Sequence, residues 1–154
     1  MEDIKRILVV IRITKCCHEA IHYGISLSKK YGAELSVLHT IDTFWLRGWN
    51  VPTISVEEEY KKELKRTEEE LDDMINMENK KGLVIKKLLK EGDPTEEILK
   101  VIKEENIDLV ILIAHGESRF EHFLFGRSNE EIIRKMPCAV LLVKKEPEPL
   151  KEER

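Results

Sequence analysis

The residues best suited to chemistry lie in one segment near the C-terminal end of the chain. Gly116 and Gly126 are separated by nine residues, and Ser128 follows two positions later. An aliphatic run, residues 109–113, precedes this segment, and residues 128–131 have the S-x-x-E form of a helix-capping box. A loop between a strand and a helix start exposes free backbone N–H groups, which bind anions. The spacing therefore predicts a loop that cradles a phosphate or carboxylate, although turn formation alone would also explain both glycines.

A second cluster, Cys16, Cys17, His18 and His22, raises the question of a metal site. His18 and His22 are four residues apart and would lie on one face of a helix. Zinc takes about four ligands in tetrahedral geometry, and no second group of Cys or His is spaced to supply the others. We therefore predict no metal site, and we expect Cys17 to pack in the core while the two histidines face solvent.

Catalysis has little support from the residue types. His39 and His115 end two of the predicted central strands, where either could act as an acid–base group. No nucleophile or paired carboxylate stands at a motif position nearby, and Mg²⁺ would find only Glu117 and Glu130 near a bound phosphate. We therefore predict no catalytic residue and a local packing role for both histidines.

Two groups of aromatic residues fall outside the predicted strands and helices. Trp45 and Trp49 lie in residues 43–55, a predicted long loop, where they would either anchor the loop to its own domain or form a lid or a partner-binding patch. Phe120, Phe123 and Phe125 lie between the two glycines, and we expect them to anchor that loop to its own domain.

The elements that position these residues alternate along the chain. Short aliphatic runs predict five strands, at residues 7–11, 35–41, 83–89, 109–113 and 139–143. Apolar spacing and capping signals predict helices at residues 16–31, 55–81, 93–105 and 128–136. Asp93 and Pro94 form the clearest helix start, and Lys86, Lys87 and Lys90 mark the third strand as a sheet edge. Strict alternation predicts a parallel sheet with helices on both faces, in which ligands bind at the carboxyl ends of the strands.

Composition limits the class of protein. The chain has 154 residues, a net charge of −4 and no long apolar segment, so we predict neither nucleic acid nor membrane as a partner. Three cysteines form no disulfide framework, and the N-terminus lacks the pattern of a signal peptide, which favours a cytoplasmic location. One domain is predicted at residues 1–145, followed by a charged, proline-bearing tail at residues 146–154 that we expect to be disordered.

The chain resembles the universal stress protein family over residues 4–145. The matching segments are ILVVIRI, YGAELSVLHTID, EGDPTEEILKVIKEENIDLVIL and the pattern AHG…G…PCAVLLVKK. The resemblance implies a three-layer α/β sandwich, doubly wound, with a five-stranded parallel sheet of order 3-2-1-4-5. It also implies a homodimer formed through the last strand, Ala139 to Val143, which would otherwise be an exposed apolar edge.

Some members of this family bind ATP through a motif of the form G-x-x-G, nine residues, G-S/T. The resemblance therefore implies a pocket for ATP or another adenine nucleotide, with no metal supplied by the protein alone. The positions of this chain that match the family's pocket are Val10, Arg12, Thr40, Leu112, Ile113, Gly116, Gly126, Arg127 and Ser128.

The chain departs from that motif at three positions. Ile113 replaces the first glycine and fills space that glycine would leave open. Arg127 stands at the expected hydroxyl position, one residue before Ser128. Arg12 stands where nucleotide-binding members have an aspartate, which removes an acceptor for the nucleoside. The two arginines would instead contact a phosphate or carboxylate ligand, or Arg12 would pair with a carboxylate at the pocket mouth.

These features predict a regulatory or ligand-sensing module of the stress response rather than a dedicated catalyst. Ligand binding at the loop between Gly116 and Gly126 would order that loop and change a surface that a partner recognises. Two alternatives remain open. One is slow ATP hydrolysis or phosphotransfer at the same loop, and the other is an adaptor or dimerisation module whose pocket has lost its function.

Overall fold

The computed structural model describes residues 3–11, 17–41, 54–79, 82–114 and 132–144. Within them, five strands form one sheet of order β3-β2-β1-β4-β5, in which every neighbouring pair is parallel. The strands are β1 (Arg6–Ile11), β2 (Glu34–Ile41), β3 (Ile85–Glu91), β4 (Leu109–Ala114) and β5 (Ala139–Lys144). The helices of this part of the chain are α1 (Cys17–Tyr31), α2 (Ile54–Glu78) and α3 (Pro94–Glu104), and residues 132–135 are also helical. The predicted fold class and strand order are therefore confirmed.

An apolar core lies on each face of the sheet. On one face, which we call the α1–α2 face, Ile21 of α1 and Leu71 of α2 pack with Val9 and Ile111. On the other, the α3 face, side chains of α3 and residue 132 pack against the strands: Leu8, Leu38, Ile98, Val101, Ile102, Val110, Leu112 and Ile132. Since strand residues alternate between faces, odd-numbered strand positions face α1 and α2, and even-numbered positions face α3.

Helix α1 approaches the sheet closely at Gly24. A Cβ atom added to Gly24 would lie 2.5 Å from Val9 Cγ2 and 3.1 Å from Leu35 Cδ1. Atoms at such distances overlap, so glycine is the residue that allows α1 to pack at this depth.

Asp108 joins the starts of β1 and β4. Its Oδ2 accepts hydrogen bonds from the backbone N–H groups of Lys5 and Arg6, both at 2.9 Å, and its own N–H donates to the Arg6 carbonyl at 2.9 Å. The next residues, Ile7 and Leu109, are register partners. The carboxylate therefore sets the register of two strands whose sequences lie about a hundred residues apart.

The predicted bounds of α2 and β3 are wrong at both ends. The structure begins α2 at Ile54, so the backbone of Ser55 is already helical, and a residue in that conformation is not the N-cap. The helix also ends at Glu78 rather than at residue 81, and β3 spans Ile85–Glu91 rather than residues 83–89. Asn79 explains the late start of β3. Its side chain donates to the Leu83 carbonyl at 2.7 Å and accepts from the Leu83 N–H at 2.9 Å, so these groups are not available to the sheet.

The start of α3 follows its prediction. Asp93 is the N-cap, its Oδ2 accepts from the Glu96 N–H at 3.0 Å, and Pro94 opens the helix. The lysine-bearing strand β3 is an edge of the sheet, as predicted, and β5 is the other edge. In the part of the chain that the structure describes, none of the helices has the length and apolar character needed to span a bilayer.

Several predictions concern residues outside the described ranges. These are most of the tryptophan-bearing loop at residues 43–55, the phenylalanines between the two glycines, the start of the helix predicted at Ser128, and the tail at residues 146–154. They stay predictions.

Candidate functional site

The carboxyl ends of the parallel strands meet at one edge of the sheet, which we call the carboxyl edge. Four of the predicted pocket residues are described there: Val10 on β1, Thr40 on β2, and Leu112 and Ile113 on β4. In the sheet, β2 and β3 lie on one side of β1, whereas β4 and β5 lie on its other side. The direction in which strands are added therefore reverses between β1 and β4. Crevices form outside the carboxyl ends at such a reversal, and ligands of open α/β sheets bind there.

The four residues do not share one face of the sheet. Val10 and Leu112 belong to the α3 face, and Thr40 lies on that face two residues after Leu38. Ile113 lies on the α1–α2 face, where it is only 5% exposed within the core. The structure thus brings Val10, Thr40 and Leu112 to one face and places the Ile113 side chain on the opposite one.

The other five predicted pocket residues are Arg12, Gly116, Gly126, Arg127 and Ser128, and they lie outside the described residues. The segment that contains the two glycines follows β4 directly, and Arg12 follows β1 directly. Because the two segments continue directly from β4 and β1, both begin at the carboxyl edge, where the winding of the sheet reverses.

His39 has a structural contact at the same edge. Its ring Nδ1 lies 3.1 Å from the carbonyl oxygen of Ile11, the last residue of β1, and donates a hydrogen bond to it. Its odd number places it on the α1–α2 face, away from Thr40. This contact agrees with the predicted packing role, whereas His115 lies outside the described residues.

The carboxyl edge also contains an interaction that no sequence pattern indicated. Tyr60 of α2 interacts with Glu91, the last residue of β3. Burial, as the larger cause, and the adjacent Glu91 carboxylate, as the smaller one, raise the pKa of Tyr60 to about 12. The contact holds the N-terminal part of the long helix α2 against the end of β3.

We expect Tyr60 to titrate near pH 12 in the folded protein. A raised pKa means that folding favours the neutral phenol, so its contribution to stability is complete below the ordinary pKa of about 10. That contribution is lost as the pH rises from about 10 to about 12. Ultraviolet absorbance of the phenolate measures the titration. The Tyr60→Phe variant should lack the part of the absorbance titration that occurs near pH 12, and Glu91→Gln should lower the pKa of Tyr60. An unchanged high-pH titration in Tyr60→Phe would contradict the assignment.

The sequence predicted that both histidines of α1 face solvent; the His22 side chain is 71% exposed, whereas that of His18 is 33% exposed. His18 Nδ1 lies 3.3 Å from Glu78 Oε1, and His22 Nδ1 lies 4.0 Å from Glu78 Oε2. Glu78 ends α2, so one carboxylate bridges the two helices on the α1–α2 face. Among the residues that the structure describes, no group of three or more His, Cys, Asp or Glu is arranged to hold a metal ion.

These features define a class of protein: a doubly wound α/β sandwich whose winding reverses between β1 and β4. The family model of the universal stress protein family matches residues 3–144. The chain therefore belongs to the universal stress protein family.

Relatives of known family match along almost their whole length. A universal stress protein of Methanothermobacter thermautotrophicus is 30% identical over 151 residues, which cover 94% of this chain and 99% of the relative. A universal stress protein of Methanocaldococcus jannaschii is 27% identical over an alignment of 154 positions that covers 92% of this chain and 95% of the relative.

Solved structures share the fold at lower identity. UspA of Lactobacillus plantarum superposes with a TM-score of 0.72 at 17% identity, covering 93% of this chain and 99% of its own. A universal stress protein in complex with cAMP gives 0.67 at 14% identity, covering 93% and 98%. A protein of the family from Archaeoglobus fulgidus in complex with dAMP gives 0.62 at 19% identity, covering 91% and 98%.

Proposed function

We propose that this chain is a homodimeric regulatory module of the stress response that binds a nucleotide or another small anionic ligand at the carboxyl edge. The observation that carries the proposal is the reversal of the sheet winding between β1 and β4, with Val10 and Leu112 on the same face beside it. Two structures of the same fold are complexes with the adenine nucleotides cAMP and dAMP. Their ligands make a nucleotide the natural first probe.

The loop after β4 would hold the charged end of the ligand. Gly116 and Gly126 allow the backbone to approach a phosphate, and Ser128 opens the predicted helix whose N–H groups point toward an anion. Arg12 and Arg127 would add charge-assisted hydrogen bonds. Val10, Thr40 and Leu112 would contact the rest of the ligand along the α3 face, while Ile113 supports the site from the core.

The homodimer would form through β5. This strand is an edge of the sheet, and its residue Leu142 is 46% exposed, a large fraction for leucine. Ile133 lies in the helical residues 132–135, shortly before β5 in the chain, and is 43% exposed. An apolar edge strand pairs with a second chain unless something covers it, which favours a partner here.

Isothermal titration with ATP and AMP tests the ligand. We expect the wild-type protein to bind at least one of them, and Arg127→Ala to weaken ATP binding by about tenfold because a charge-assisted hydrogen bond is lost. Arg134→Ala is the matched control, since Arg134 is an exposed arginine on residues 132–135.

The same samples separate the alternatives. Binding without release of phosphate supports a sensor, and steady phosphate release would instead make the protein a slow ATPase. Binding of neither nucleotide would support an adaptor whose crevice has no ligand. Sedimentation velocity of these samples measures whether the module is a dimer, and a monomer at every concentration would contradict the β5 interface.

A further inference from the structure

We draw no further inference here: the strongest candidate, the open groove between α1 and the end of α2 that is lined by His18, His22 and Glu78, carries none, because these described residues are not arranged to hold a metal ion and nothing in the structure shows what covers the groove.

Discussion

Gly24→Ala should lower the free energy of unfolding by about 2 kcal/mol, although alanine is the better helix former. Alanine in place of glycine inside a helix gains about 1 kcal/mol. Here the new methyl group would lie 2.5 Å from Val9 Cγ2, and Val9 is fully buried at 0% exposure. A buried β-branched side chain has few alternative rotamers, so the helix or the strand must move. Urea denaturation measures the loss.

A double-mutant cycle tests the cause of that loss. Val9→Ala removes the Cγ2 atom, so Gly24→Ala should be much less destabilising in the Val9→Ala background, with a coupling of about 1 kcal/mol or more. Gly32→Ala is the control. Gly32 has a φ of 64° and no atom within 4 Å of an added Cβ, so its cost comes from backbone strain and should not change with Val9. A neutral Gly24→Ala variant, or a loss that persists in the double variant, would refute close helix–strand packing as the cause.

Asp108→Ala is expected to destabilise the protein by about 2 kcal/mol. The substitution removes the acceptor of two backbone N–H groups, and hydrogen bonds to a charged group contribute about 1.5–3 kcal/mol. The loss of stability should be smaller than the sum for two such hydrogen bonds, because the Lys5 N–H is exposed and water can replace the carboxylate there. Urea denaturation gives the free energy, and Asp73→Ala, an exposed aspartate of α2, should change it by less than about 0.5 kcal/mol.

Cys138 reports on the charge of Asp108 independently of stability. Burial, as the larger cause, and the charge of the Asp108 carboxylate, as the smaller one, raise the pKa of the Cys138 thiol. Asp108→Asn keeps an oxygen acceptor but removes the charge, so it should lower that pKa and speed alkylation by iodoacetamide at neutral pH. Stability should fall less in Asp108→Asn than in Asp108→Ala. Loss of stability without any change in the Cys138 alkylation rate of Asp108→Asn would show that the carboxylate does not act on the thiol.

Local signals in the sequence predicted most of the fold. The Asp93–Pro94 start of α3 depends on neighbouring residues alone, and it was placed correctly. The lysines of β3 identified a sheet edge for a similarly local reason. The start of β3 was misplaced because Leu83 looks like a strand residue, while the side chain of Asn79 had already engaged its backbone. Competition between a side chain and the sheet for the same backbone groups has no periodic signature.

Contacts between distant segments were the part that the sequence did not indicate. Asp108 was recognised only as a polar boundary of its strand, because its partners at the start of β1 lie about a hundred residues away. Glu78 was likewise not linked to His18 and His22, since the meeting of α1 and α2 depends on the depth at which both helices pack on the sheet.

The candidate site stays a prediction, and the structure describes four of the residues assigned to it: Val10, Thr40, Leu112 and Ile113. Parallel alternation alone places ligands at the carboxyl edge, and Val10, Thr40 and Leu112 lie there on one face. Ile113 was matched to the pocket from its place in a motif, yet its side chain lies in the core of the other face.

The two edge strands of the sheet are unlike each other, and this difference bears on the proposed homodimer. Charged lysines line β3, so added strands are discouraged there, while β5 presents apolar surface that includes Leu142. A molecule with two receptive ends would extend into ribbons as copies added one after another. A molecule with one such edge strand can pair with a second copy about a two-fold axis, and the dimer then has no further apolar edge open to pairing.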